Sequence, residues 1–577
     1  MLTDILTKFL RPYRRTVSLI LILLLIQSIA SLYLPRLNAD IINNGVAKGD
    51  IGYIWRIGGW MLGASILVMA ASIWLAYLSS AVSMAFGRDL RLKIFTTVGA
   101  FSARELNDFG APSLITRNTN DVQQVQMLVF MGLTMMVAAP ITGIGAAIMA
   151  VQTNAKLSLL IVVIVPLMAL VILLLLRRIV PLFRTVQIQI DRINLILREQ
   201  IAGIRVIRAF VQRASQEEKF AGASDDLRAT NLKVMRSFSL MFPIMTVILN
   251  LSTIAVLWFG GKLIDAGSMP IGNLTAFLSY IMQILMSVLM AVMMSMMIPR
   301  AAASAERINE VLVTKTSVHD PLSPVKVEKK PGIIEFKDVE FKAPGAEHPI
   351  LSGLNFSIHP GQFTAIVGST GSGKSTVLNL IPRFIDVTHG SILIDGQNIR
   401  ERSLEDLWSE IGMVPQRSLM FRGTIASNLR FGKAEASEEE LWHALDIAQA
   451  RDFVEALPEK LNAPVAQGGT NFSGGQRQRL AIARALVKNP QIYLLDDSFS
   501  ALDFTTDSKL REALHREVGS ATLVVVAQRV SSILHADQII VFDAGVVVGI
   551  GQHHELMESC SIYKEIVLSQ LSPEEAA

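Results

Sequence analysis

Gln362–Val367 is a short apolar run, Gly368-Ser369-Thr370-Gly371-Ser372-Gly373-Lys374-Ser375 follows directly, and Thr376–Phe384 then reads as a helix. Strand, glycine-rich turn and helix in that order form the setting in which G-x-x-x-x-G-K-[ST] acts as a phosphate cradle. The glycines let backbone N–H groups close on phosphate oxygens, and the following helix N-terminus favours negative charge. Lys374 is placed to reach the β- and γ-phosphates of a nucleotide, Ser375 to ligate magnesium, and Thr376 follows on the same turn.

Further along, the apolar run Gln491–Leu495 ends in Asp496. A buried strand ending in Asp is the expected second acidic element, holding magnesium directly or through water. The next residue, Asp497, occupies the position that should orient or activate an attacking water. Asp is one methylene shorter than Glu, and a displacement near 1 Å costs about 100-fold in rate. Asn471-Phe472-Ser473-Gly474-Gly475-Gln476 precedes a helical stretch, Arg477–Val487. By itself such a turn is an ordinary helix entry, but placed 20 residues before Asp496 it reads as a second phosphate-facing surface.

The rest of the chain has a different character. Of its 577 residues, 51% are apolar and 18% charged, and mean hydropathy is positive at +0.44. Six spans are predicted at about 16–35, 57–82, 127–150, 157–176, 238–261 and 271–298, each near the ~20 apolar residues a hydrocarbon core needs. A seventh charge-free stretch, 348–373, is interrupted by Gly, Pro, Ser and His and is not a span. The domains expected are therefore a membrane half, 1–310, a linker, 311–332, carrying Pro321, Pro324 and Pro331, and a nucleotide-binding half, 333–577. The fold class is all-α in the membrane, with long cytoplasmic helical extensions, followed by an α/β P-loop NTPase domain.

Net charge is only +4, but its placement is informative. Segment 177–236 holds twelve Lys/Arg, and Lys8, Arg11, Arg14 and Arg15 precede the first span. The positive-inside rule makes both regions cytoplasmic, leaves 36–56, 151–156 and 262–270 as external loops, and puts the soluble half in the cytoplasm. Nucleic-acid binding by the basic segment is disfavoured, because Asp and Glu are interleaved and the segment lies between spans. Residues 3–13 are expected to form an amphipathic helix, and the first span lacks a small-residue cleavage site.

The connectors 88–121 and 177–236 keep helical periodicity, as in Ile190, Ile193, Leu197 and Ile201. The membrane helices are expected to continue into the cytoplasm, each pair capped by a short transverse helix near 104–110 and 202–210; separate cytoplasmic hairpins are the alternative. The last span carries Met282, Met286, Met290, Met293, Met294, Met296 and Met297. Polarisable thioethers suit varied apolar ligands, but ordinary helix packing or lipid contact is the favoured explanation. No acidic or basic residue lies mid-span to carry a proton- or ion-coupled mechanism. The single cysteine, Cys560, excludes an intramolecular disulfide and a Cys-based zinc site.

Taken in order, these motifs resemble the ATP-binding cassette transporter family, over essentially the whole chain. The resemblance implies ATP and Mg2+ as cofactors and assigns Gln416 as the Q-loop glutamine. It makes Ser473-Gly474-Gly475-Gln476 the signature and Asp496 the Walker B acid. Ser500-Ala501-Leu502-Asp503 becomes the D-loop, and Gln528 stands in the switch-histidine slot. Ser375, Gln416 and Asp496 would hold the metal, and the short helices would be coupling helices. Three positions depart from the pattern. Asp497 stands where the family has a catalytic glutamate, Gln528 where it has a histidine, and Ala343 where an aromatic stacks on adenine. Losing that stack would weaken binding by about 1–3 kcal/mol.

In this family each ATP lies between one cassette's P-loop and the other's signature. The departures thus fall on this chain's own site, while its signature completes the partner's. The pattern resembles the degenerate subunit of heterodimeric bacterial multidrug-type exporters. It implies a second half-transporter as partner, a hydrophobic or amphipathic small-molecule substrate, lipid around the spans, no nucleic-acid partner and a location in the bacterial inner membrane. An exporter-like importer, as in siderophore uptake, and a nucleotide-gated regulatory subunit are the competing expectations. The missing extra N-terminal domain disfavours the first, and the intact signature and D-loop the second.

Overall fold

Among the residues described by the computed structural model (1–295, 297–325, 332–572 and 574), six helical stretches are long and apolar enough to cross a membrane. Pro331 of the linker and Met296 lie outside the described residues, as does the side chain of Met293. The helices of this half are α1 (Leu2–Leu10), α2 (Arg14–Asp40), α3 (Ile51–Gly99), α4 (Ala103–Phe109), α5 (Ala111–Thr116) and α6 (Val122–Met131). They continue as α7 (Ala138–Thr153), α8 (Leu159–Ala202), α9 (Ile204–Ala209), α10 (Arg213–Asp265), α11 (Ile271–Ser295) and α12 (Met297–Val313).

Three helices, α3, α8 and α10, run unbroken for 49, 44 and 53 residues. At 1.5 Å per residue they reach about 65–80 Å, more than twice a hydrocarbon core of ~30 Å. The basic connector 177–236 is therefore continuous helix on both arms rather than a separate hairpin, closed only by the short α9. The arms stay together past the apolar segment, where Arg192 and Asp226 approach to 3.4 Å. Of the external loop expected at 36–56, only Ala47–Asp50 is outside helix, because Ile41–Val46 prolong α2 as a π-helical turn. Further π-turns at Arg117–Asp121 and Gly132–Met136 interrupt the third span. At the first of them Asp121 is buried and accepts hydrogen bonds from Ser304 Oγ (2.9 Å) and Arg307 Nε (2.8 Å).

In the soluble half a four-stranded antiparallel sheet is ordered β2-β1-β4-β5, where β1 is Ile334–Phe341, β2 Leu351–Ile358, β4 His389–Ile394 and β5 Gln397–Asn398. A six-stranded sheet uses β3 (Phe363–Gly368), β6 (Ile411–Val414), β9 (Ile492–Asp496), β10 (Thr522–Val526), β11 (Gln538–Asp543) and β12 (Val546–Gly551), in the order β12-β11-β3-β10-β9-β6. Two short strands, β7 (Gly423–Thr424) and β8 (Pro464–Val465), pair separately. Every residue of β9 and β10 is buried, as expected for central parallel strands covered on both faces. The edge strand β12 runs antiparallel and alternates in exposure.

Register fixes the site. Val526 pairs with Ile366 on one side and Asp496 on the other, so β9 and β10 end level while β3 runs two residues further, to Gly368. The loops after their carboxyl ends share one crevice, where open α/β sheets bind ligands.

Contacts group the chain into two units, one of residues 1–99 and 112–314, the other of 100–111 and 315–577. The segment carrying α4 thus belongs with the soluble half although membrane helices flank it. Ser102 caps α4 in a reciprocal box with Glu105. The buried Glu105 carboxylate also accepts from the Ser317 backbone N–H at 3.1 Å, and Ser102 Oγ lies 2.8 Å from Ser317 Oγ. Burial alone would raise the Glu105 carboxyl, but the Ser102 and Ser317 hydrogen bonds outweigh it and hold it below the usual range.

Candidate nucleotide site

Gly368–Gly373 joins β3 to a helix α13 (Lys374–Leu380). Gly371 and Gly373 have φ of +86° and +97°, conformations that side chains avoid. A Cβ on Gly373 would meet Leu351 Cδ2 at 2.5 Å, and one on Gly368 would collide with the Phe542 carbonyl oxygen. At Gly371 nothing lies within 4 Å, so that side of the loop is open. Lys374 Nζ folds back on the loop's own carbonyls, donating to Gly368 O at 2.9 Å and Ser369 O at 2.7 Å. Burial pushes its ammonium pKa down, against the opposing pull of Asp496 and Asp497.

Ser375 Oγ donates to Asp496 Oδ1 at 3.1 Å, joining the two expected metal-binding residues across α13 and β9. Asp496 and Asp497 are both buried, each only 7% exposed. Burial raises both carboxyls; at Asp496 the neighbouring Asp497 charge adds to the rise, and the Ser375 hydrogen bond opposes it. A pair of buried carboxylates beside a lysine already occupied by carbonyls is a site short of positive charge. Ser372 Oγ, buried in the cradle, has no hydrogen-bond partner. Among the described residues no three His, Cys, Asp or Glu side chains group to hold a metal. These features fit a Mg2+ held mainly by nucleotide phosphates with one or two protein oxygens. Ser375 and Asp496 would hold it, and the metal would neutralise charge between phosphate oxygens.

Asp497 sits in a left-handed conformation, φ +50°, which Asp tolerates better than most residues. Its N–H donates to Val526 O at 2.9 Å. Its carbonyl accepts from Gln478 Nε2 at 3.1 Å and from Ser500 Oγ at 3.0 Å. Gln416 Nε2 approaches its Oδ2 at 3.4 Å. Gln528 follows β10 with an exposed side chain. Ala343 lies just past β1, half-buried.

Ser473 caps a 15-residue helix α14 (Gly474–Lys488), accepting from Gln476 N at 3.2 Å while its own N–H donates to Gln476 Oε1 at 2.9 Å. Ser473 and Gly474 are exposed. Asp503 caps α15 (Phe504–Glu517) and is also exposed; the Thr506 backbone N–H holds its carboxyl below the usual range.

The structure thus joins Ser375 to Asp496 and Gln416 to Asp497, and leaves Ser473, Gly474, Asp503 and Gln528 facing solvent. Sequence reading missed the residues that set these loops. Gln478, two positions past the signature, was hidden as an ordinary helix residue. Arg529 donates to Leu502 O at 3.0 Å and Ser500 O at 2.9 Å, tying the loop after β10 to the D-loop. Gln570 donates to Gln528 O and accepts from Val530 N, both at 2.9 Å. Only its distance in sequence concealed it.

A membrane unit with six candidate spans among the described residues, joined to a P-loop cassette with a separate helix-capping signature, defines a class of ATP-driven membrane transporter. Residues 17–288 match the ABC transporter transmembrane region and 351–500 the ABC transporter cassette. An uncharacterised ABC transporter ATP-binding protein of Mycobacterium tuberculosis is 47% identical over 99% of this chain and 98% of its own length. A putative multidrug export ATP-binding/permease protein of Staphylococcus aureus is 34% identical over 85% of each chain. The fold matches a bacterial Atm1-family ABC exporter solved with ATP bound, with a TM-score of 0.79 over 96% of this chain and 97% of the other at 24% identity. The chain belongs to the ABC transporter family and has the layout of an exporter half-transporter, a multi-pass membrane protein whose cassette binds ATP.

Proposed function

We propose that this chain is one subunit of a heterodimeric ATP-driven exporter of a bacterial inner membrane, and that its own ATP site holds nucleotide far more than it hydrolyses it. The observation that carries this reading is Asp497. Its backbone is fixed by Val526, Gln478 and Ser500, so a side chain one methylene short has little freedom to make up its reach. Gln528 offers no imidazole, and Ala343 no aromatic face. The turn Ser473–Gln476, with Ser473 and Gly474 exposed and Ala501 of the next loop against Gly475, supports a role in completing the P-loop site of a second, different half-transporter.

The site residues take the roles their motifs give them. Gly368–Thr376 hold the phosphates, and Ser375 and Asp496 hold Mg2+, with Gln416 at the edge of the metal. ATP binding closes the paired cassettes, and hydrolysis at the partner's P-loop reopens them.

A hydrophobic or amphipathic substrate is supported by an apolar cavity of about 140 Å3 lined by Met168, Met245, Leu249, Met282, Leu285 and Met286. The Staphylococcus aureus relative's description as a multidrug exporter points the same way. The deciding experiment is ATPase activity of the purified chain alone and with a half-transporter that carries Glu and His at the positions of Asp497 and Gln528. Little turnover alone and restored turnover in the pair are expected. Brisk hydrolysis by a homodimer would sink the proposal.

A further inference from the structure

The bend between α1 and α2 carries a charge cluster that the nucleotide site does not use. Lys8 on α1, Arg11 in the turn Arg11–Tyr13, and Arg14 and Arg15 opening α2 line, with Pro12, a cleft of about 530 Å3. All four cations are exposed. The nearby acids are engaged elsewhere: Asp4 with the N-terminal ammonium at 2.9 Å, and Asp89 with the Tyr13 hydroxyl at 2.6 Å and with Arg88.

The bend is also fixed. Ile5 is buried, and Phe9 meets Phe86 of α3 edge-on, ring centroids 6.1 Å apart. The apolar face of α1 is thus spent on α3 and α12, and Lys8 is left outward. Below the cleft, Arg15, Leu19, Ile22 and Ile26 fall at helical spacing on one stripe of α2. Leu19, Ile22 and Ile26 are 46%, 54% and 39% exposed. Unneutralised guanidinium groups above an exposed apolar stripe have the form of a partner with an anionic head and a hydrocarbon tail.

We propose that this cleft holds the phosphate headgroup of an anionic phospholipid, whose acyl chains lie along the Leu19–Ile22–Ile26 stripe. Guanidinium forks match phosphate oxygens bidentately, and juxtamembrane clusters of four or more Lys/Arg favour anionic lipid. A free phosphate would use the same cations but leave the stripe without a role. The site is independent of how the cassette handles ATP.

The test uses the full chain in neutral detergent, titrated with fluorescent phosphatidylglycerol and with phosphatidylcholine of the same acyl chains. Phosphatidylglycerol should bind at least about tenfold more tightly. Loss of one charge costs about fivefold, so R11Q/R15Q should lose about 25-fold for phosphatidylglycerol alone, and R11K/R15K should keep most of the preference. Equal affinity for the two lipids, or an unchanged preference in R11Q/R15Q, overturns the proposal. Displacement of phosphatidylglycerol by millimolar inorganic phosphate assigns the cleft to free anions and overturns it too. Should R11Q/R15Q lose nucleotide-analogue binding as a sign of misfolding, the R11K/R15K variant and the wild-type preference decide.

Discussion

Gln416 Nε2 lies 3.4 Å from Asp497 Oδ2, at the outer limit of a hydrogen bond. A glutamate at position 497 would carry its carboxylate about 1.5 Å further from the backbone, one C–C bond length. The loop that should sense nucleotide is therefore joined to the residue that should orient the attacking water, but through a carboxylate on too short an arm. Restoring the arm and the imidazole together, as D497E/Q528H, should raise hydrolysis at this chain's own site by about 10–100-fold. Phosphate release from the assembled pair, with the partner's P-loop lysine replaced, measures it. Unchanged turnover would refute the degenerate-site reading.

Ser473→Ala removes a helix cap worth about 1 kcal/mol, too little to unfold the cassette. Its effect should appear instead in the pair, as a loss of at least about tenfold in ATPase rate with nucleotide binding at this chain's P-loop intact. Photolabelling of the two subunits by an azido-ATP separates the two effects.

Ala343→Tyr should tighten nucleotide binding at this chain's site by about 1–3 kcal/mol, the range of a base–aromatic stack. Equilibrium titration with a fluorescent ATP analogue reads the change. An affinity equal to wild type would remove Ala343 from the site.

The Asp497 carboxyl is raised by burial, so the native state holds its proton to higher pH than the unfolded chain does. Stability from this group is full below the ordinary Asp value, about 3.9, and is lost as pH rises through the folded value. Asp497→Asn should therefore stabilise the nucleotide-free protein at neutral pH, and the difference should vanish below about pH 4. Thermal unfolding of the solubilised protein across that range checks the sign.

Val530 is buried, and its N–H is satisfied by Gln570 Oε1 at 2.9 Å. Gln570→Ala leaves that donor unpaired at a cost of about 1–3 kcal/mol. Faster proteolysis near 528–532, relieved by Gln570→Glu, which keeps an acceptor, is the expected outcome.

The motifs were legible because phosphate binding demands particular residue types within a few positions. Gly368–Ser375 and Ser473–Gln476 each carry their chemistry locally, and six apolar runs need no partner to be recognised. What escaped reading is set by distance. Gln478, Arg529 and Gln570 act through backbone atoms of residues remote in sequence, and any polar side chain looks alike until the loop beside it is known. Helical continuity in 177–236 was legible as periodicity, which left separate cytoplasmic hairpins as the open alternative until the unbroken α8 and α10 were seen. The helical state of Ile41–Val46 was not legible, since Asn43-Asn44-Gly45 has the composition of a turn.

The joining of 100–111 to 315–577 has a consequence for synthesis. Ser102 and Glu105 leave the ribosome about 200 residues before Ser317, a delay of roughly 10–40 s at usual elongation rates. For that interval the Glu105 carboxylate lacks the backbone N–H it will finally hold. The soluble half cannot mature as a tail added to a finished membrane domain: its first piece is already threaded between two spans, waiting for the rest to arrive.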